Sequence, residues 1–294
     1  VSLPTRLLHR MEAIALRLAV GLFRLIPVDL AASIMGFLWR TIAPFTHRHK
    51  RALAHLETAY PELTGTERET IARGMWDNLG RVAAETFFID RLLKDGKRFE
   101  PVADEATRRV LNGETGAIFV SLHTGNWELC VQPAAANGVE IAGVYQALKN
   151  PIADEMLRDM RHSLYAGGLH SKGHQTARKL ISILRKGGVV AIMGDLRETR
   201  GLKVPFFGRP AFANPVPVSL ARSCGVPIIL GRTVRKSGST FKIEGRGYQV
   251  PVTHDRQADI EKGTADIHAI FEDWIREHPE QWMWIHRKWA KANG

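Results

Sequence analysis

The sequence predicts an α/β protein with a mostly parallel sheet flanked by helices. Short apolar runs rich in β-branched residues, at 117–122, 141–145, 189–193 and 227–234, read as buried strands. Helical patterns lie between and after them, at 152–165, 175–185, 215–223 and 259–277, and this alternation implies parallel pairing through crossovers. No long polar linker or internal repeat interrupts residues 46–294, so that stretch reads as one unit. With 294 residues and 45% apolar composition, the chain can bury a large core.

Residues 1–45 follow a different pattern and read as a separate membrane-association segment. Leu7, Met11, Ile14, Leu18, Leu22 and Leu25 recur at helical intervals, while Arg10, Arg17 and Arg24 fall seven apart on another face with Arg6 above them. Pro27 ends this helix, Asp29 is placed to cap a second, and residues 30–39 carry no charge. Neither segment reaches the roughly 18 uncharged residues of a spanning helix. The expectation is an amphipathic hairpin lying in the membrane interface, its arginines on anionic head groups. From 47 to 88 the pattern is again helical around a turn at 61–65, and Asn78-Leu-Gly80 marks a close helix contact.

The next stretch, His123-Thr-Gly-Asn-Trp-Glu128, follows the first predicted strand directly. His123 therefore sits just past a strand's carboxyl end, where ligands of open α/β sheets collect. Asn126 is a plausible N-cap, and Glu128 falls in the first helical turn. A histidine can take a proton from an alcohol near neutral pH, and a carboxylate on its other nitrogen fixes its tautomer. G-x-S-x-G is absent, so direct attack by a substrate hydroxyl, with His123 as base and Glu128 orienting it, is the simplest chemistry. The spacing alone better fits a capping histidine and a glutamate favoured by the helix dipole.

Further along, Asp195 follows the strand at 189–193 and also belongs at a carboxyl end, placed to orient His123 or the acceptor, or to cap its loop. Phe206 and Phe207 lie in the stretch 205–208, which reads first as a packed, turn-forming loop, and they are also candidates to line an apolar channel. Trp282 and Trp284 read as core. G-x-G-x-x-G, the P-loop and H-E-x-x-H are absent, and Cys130 and Cys224 have no metal spacing, so no cofactor and no metal is expected.

The net charge of +11 is unevenly placed. Residues 1–50 hold seven Lys or Arg against Glu12 and Asp29, and residues 172–246 hold fifteen against three acidic groups. Such concentrations favour anionic partners: phosphorylated lipid, an acidic carrier protein or nucleic acid.

His123-Thr-Gly-Asn-Trp-Glu-Leu129 resembles the H-x-G-N-W-E block of the bacterial lipid A biosynthesis acyltransferases. Three further blocks follow in that family's order: residues 144–151, Gly194-Asp-Leu-Arg with 201–208, and 279–289. The family's second block commonly continues with glutamine after the aspartate, where this chain has Leu196. The resemblance implies a glycerol-phosphate-acyltransferase-like architecture at the cytoplasmic face of the inner membrane. It implies transfer of a fatty acyl group from acyl carrier protein to a hydroxyl of a Kdo-bearing, phosphorylated lipid A precursor, without a covalent acyl-enzyme. His123 and Glu128 would be catalytic, and Asn126, Lys149, Arg161, Asp195, Phe206 and Phe207 would contact substrate. Nucleic acid is not an expected partner. The competing expectations are another acceptor, such as phosphatidylinositol mannoside or a lysolipid, and a basic binding module without catalysis.

Overall fold

The computed structural model describes residues 3–289. Its strands are β1 (Phe99–Ala103), β2 (Ala117–Ser121), β3 (Ile141–Tyr145), β4 (Leu169–Ser171), β5 (Val189–Met193), β6 (Leu202–Phe206), β7 (Arg209–Ala213), β8 (Ile228–Arg235) and β9 (Phe241–Tyr248). Seven form one sheet in the order β1-β9-β8-β2-β5-β3-β4, whose neighbours are all parallel except β8 and β9. The mostly parallel sheet expected from the alternating pattern is therefore present. β6 and β7 make a separate antiparallel hairpin, turned by Phe207 and Gly208, both at positive φ (51° and 66°).

The helices are α1 (Leu3–Phe23), α2 (Val28–Ile42), α3 (His47–Ala59), α4 (Gly65–Thr86), α5 (Ile89–Leu92), α6 (Glu105–Leu111), α7 (Gln132–Ala136), α8 (Pro151–Arg161), α9 (His174–Arg185), α10 (Val216–Cys224) and α11 (Arg256–Glu277). They cover both faces of the sheet. Along β2 the side chains alternate accordingly: Ile118 and Val120 enter the core shared with α3, α4 and α9–α11, while Ala117 and Phe119 enter the core behind α5–α7. β2 is buried at all five positions and stands between β5 and β8, so its carboxyl end is the centre of the sheet's upper edge.

α4 begins with a capping box, Thr64 accepting from the Glu67 amide and Glu67 returning a bond to the Thr64 amide. It packs on α2 so closely that a Cβ on Gly80 would stand 2.4 Å from the Met35 carbonyl oxygen, the close contact expected at 78–80.

The N-terminal helices differ from a paired hairpin. α1 lies on α8 and α2 on α4. Asp29 does not cap α2; it accepts from the Ser239 amide and pairs with Arg98 at 2.9 Å. Arg24 pairs with Asp90 on the body of the protein rather than joining a free stripe. The apolar residues of the α1 periodicity, Leu7, Met11, Ile14, Leu18, Leu22 and Leu25, all point outward. Phe37, Ile42 and Phe45 extend that surface along α2 and beyond, Phe45 being 90% exposed. No helix of the described residues is long and apolar enough to cross a membrane.

Candidate active site

β2 and β5 run in parallel with Ser121 opposite Met193. Two residues beyond each strand end, the same register brings His123 beside Asp195. The Asp195 carboxylate accepts from His123 Nδ1 at 2.8 Å, from the His123 backbone amide at 2.9 Å and from Trp282 Nε1 at 2.9 Å. An ionised carboxylate only accepts, so Nδ1 carries the proton and Nε2 offers its lone pair. Burial pushes the Asp195 carboxyl up, but these hydrogen bonds and the charge His123 carries whenever it is protonated outweigh it and hold it well below the ordinary carboxylate range. His123 thus has the arrangement of a general base: oriented, with a permanent counter-charge behind it.

The segment after α11 passes beneath this pair. Thr124 bridges Trp282, the Met283 amide donates to the His123 carbonyl, and the Gly125 amide donates to the Gln281 carbonyl. His286 then faces His123 with ring centroids 5.4 Å apart, and Trp127 faces it at 5.0 Å. Burial and the His123 charge push His286 down to about 4, so it is a neutral imidazole near pH 7.

The turn after His123 is fixed by a buried polar network. Gly125 has φ +54°, and a Cβ there would lie 2.0 Å from the Thr233 carbonyl oxygen, so only glycine fits. Asn78 of α4 donates to the Gly125 carbonyl at 2.9 Å and accepts from Arg235 Nε. Two turns further along the same face of α4, the fully buried Glu85 accepts from Asn126 Nδ2 at 2.8 Å, from Ser239 and from both Arg235 amino groups. Removing one partner of a buried ion pair of this kind leaves an uncompensated buried charge and is strongly destabilising.

The profile of the bacterial lipid A biosynthesis acyltransferases matches residues 4–291. The chain belongs to that family. It is 28% identical over 259 residues to the Escherichia coli lipid A biosynthesis lauroyltransferase, covering 82% of this chain and 78% of the relative. It is 25% identical over 283 residues to the E. coli lipid A biosynthesis palmitoleoyltransferase, covering 89% and 86%. A Shigella flexneri lipid A biosynthesis acyltransferase matches to the same extent. The chain is therefore an acyltransferase, which sets aside the reading as a non-catalytic binding module.

In this acyltransferase only some of the expected site residues are brought together. His123 and Asp195 are in contact, with Asp195 rather than Glu128 on Nδ1. Glu128 is turned instead to Arg161 of α8, with which it pairs at 2.9 Å, because residues 127–131 coil into a 3₁₀ turn that carries the carboxylate towards α8. Arg161 Nε is buried and has no partner among the described residues. Asn126 occupies the N-cap position but makes no capping bond; its amide serves Glu85, and its Oδ1 has no partner among the described residues. Lys149 is exposed on the loop before α8, next to Asn150, which does cap that helix.

Phe206 and Phe207 are core residues, 0% and 5% exposed, enclosed by Trp282, Trp284, Trp289 and Tyr60. The expectation that they line an acyl channel does not fit this placement. Four residues in or around the site carried no assigned role in the sequence: Asn78, Glu85, Arg235 and Lys288. Glu85 has a local signature, a carboxylate among buried neighbours seven residues from Asn78 on the same helical face. The other contacts join residues at least 47 apart in sequence or depend on the C-terminal segment's path, with no local signal.

Proposed function

We propose that this enzyme moves a fatty acyl group from acyl carrier protein to a hydroxyl of a phosphorylated, Kdo-bearing lipid A precursor, directly and without an acyl-enzyme. The observation that carries the reading is the His123–Asp195 contact at the carboxyl edge of the sheet, which leaves Nε2 to receive a proton. His123 takes the proton of the acceptor hydroxyl as its oxygen attacks the thioester carbon. Asp195 stabilises the imidazolium that forms. The tetrahedral intermediate collapses by breaking the C–S bond, and the imidazolium returns its proton to the carrier thiolate. Glu128 positions Arg161, whose planar guanidinium suits a phosphate or the developing oxyanion. The Gly125 amide is engaged by Gln281, so a backbone contribution to the oxyanion would come from the first-turn amides of residues 127 and 128.

The partners follow from charge and exposure. Four of the basic residues in 172–246 are engaged internally, in Arg222–Asp259, Arg232–Glu244, Arg235–Glu85 and Lys242–Glu244 pairs. α9 is different: it carries Arg178, Lys179 and Arg185 outward and no acidic residue, a surface suited to an acidic carrier protein. The outward apolar row of α1 and α2 supports attachment to the membrane surface on the cytoplasmic side, lying in the interface.

Incubation of the purified enzyme in detergent with acyl carrier proteins of several chain lengths and the Kdo-bearing tetra-acyl precursor tests the reading. The expected product, by mass spectrometry, is the precursor plus one acyl chain, with one donor preferred. Absence of any mass gain from folded enzyme, together with acylation of a phosphatidylinositol mannoside or lysolipid, would replace the acceptor.

A further inference from the structure

Lys288 lies at the back of the site, 1% exposed, on the segment that also carries Trp282 and His286. Its ammonium donates to the Asp195 backbone carbonyl at 2.8 Å and to Nε2 of His268 at 2.8 Å, and it stands 5.1 Å over the Phe206 ring. All three of its directions are thus taken: a carbonyl, an imidazole lone pair and an aromatic face. His268, 2% exposed on α11, is oriented to receive this bond. Its Nδ1 donates to the Thr264 carbonyl at 2.9 Å, so its Nε2 is the accepting nitrogen. Burial, then the neighbouring Lys288 charge, pushes His268 down to about 3, so it stays neutral and leaves the lysine as the cation of the pair. Burial lowers Lys288 to about 8 against the opposing pull of Asp195, which keeps its charge in place at neutral pH.

A buried ammonium is costly, and an apolar side chain would fill this position more cheaply. The location shows what the charge does. Asp195 has two jobs, to hold His123 Nδ1 and to carry a negative charge close to it. Alone in a buried site, that charge favours the imidazolium and would tend to keep the base already protonated. Lys288 grips the main chain of the same aspartate and places a positive charge beside it.

We propose that Lys288 is a positioning residue for acyl transfer, anchoring Asp195 from behind and supplying a positive charge that opposes protonation of His123 in the resting enzyme. The inference rests on His123 being the base. The groups facing His123 are Asp195, His286 and Trp127; those facing Lys288 are Asp195, His268 and Phe206. Arg48 and Arg51 of α3 add their charge near His286 and act in the same direction as Lys288.

The test is the pH dependence of kcat/KM for Lys288→Gln and Lys288→Met beside wild type and His123→Ala. Glutamine keeps a donor and loses the charge; methionine loses both. The expected result is an acid limb moved to higher pH by about one unit in both variants. The methionine variant should also lose kcat, because Asp195 is no longer held. Lys288→Arg, which keeps the charge, should leave the limb where wild type has it. An unmoved limb in both neutral variants, with activity lost only in step with thermal stability, would overturn the proposal. So would failure of both to fold, since the lysine would then be structural. If His123→Ala turns over like wild type, it is the assignment of the base that fails; an inactive His123→Ala with an unmoved limb in the lysine variants removes Lys288 alone.

Discussion

His123→Ala is expected to lower kcat by about a hundredfold to ten-thousandfold while leaving the fold intact, the range over which a positioned general base contributes. The side chain is a sound place for such a test because it supports little else. Its ring bonds only to Asp195 among the described residues, and the turn that follows is fixed by backbone and by Asn78, Glu85 and Gln281. The residual rate would report what positioning and oxyanion stabilisation achieve without a base. Rates of acylated-lipid formation at saturating donor and acceptor, with circular dichroism as the fold control, measure it. Near-normal turnover would show that the proton leaves by another route.

Asp195→Asn should cost a similar factor for a different reason. The substitution preserves volume, but an amide beside Nδ1 removes the counter-charge and permits the tautomer in which Nε2 is already protonated. The imidazolium loses its stabilising neighbour, so the acid limb of kcat/KM should move to lower pH, opposite in sign to the movement expected for neutral variants of Lys288. Glu128→Gln provides the contrast. It leaves the His123–Asp195 bond untouched, so whatever rate it loses through Arg161, its acid limb should stay with wild type. A limb displaced by Glu128→Gln and unmoved by Asp195→Asn would return the orienting role to Glu128.

That contrast also marks how far the site was legible in the sequence. His123 could be placed because a buried run, a glycine turn and a helix start occur within a dozen residues and together imply a strand's carboxyl end. Its partner could not be chosen this way. Glu128 is near in sequence, but Asp195 is 72 residues away and arrives through the β2–β5 register, which no local pattern encodes. The longer helices and four inner strands were legible for the same local reason, strong period and clean punctuation, whereas the short helices α5 and α6 carry too few turns to show a period. β1 contains Pro101 and lies at the sheet edge, and β9 is interrupted by Gly245 and Gly247, so neither shows the apolar run of a central strand.

Periodicity also says which residues share a face, not which way that face points. The leucine row of α1, read as a face for the membrane interface, points outward, whereas Phe206 and Phe207, candidates for a channel wall, point inward under the C-terminal tryptophans. Aromatic pairs serve both purposes, and only the packing decides.

Direct attack of the acceptor hydroxyl on the carrier thioester, with His123 as its base, leaves a signature in the intact mass of the enzyme. Wild-type protein would be mixed with acyl carrier protein bearing a fatty acyl chain, without acceptor, quenched in acid over a series of times, and weighed. Direct attack leaves the mass of the unmodified chain at every time, with acylated lipid formed only once acceptor is added. A protein heavier by one acyl group, losing that mass to product when acceptor follows, would contradict it.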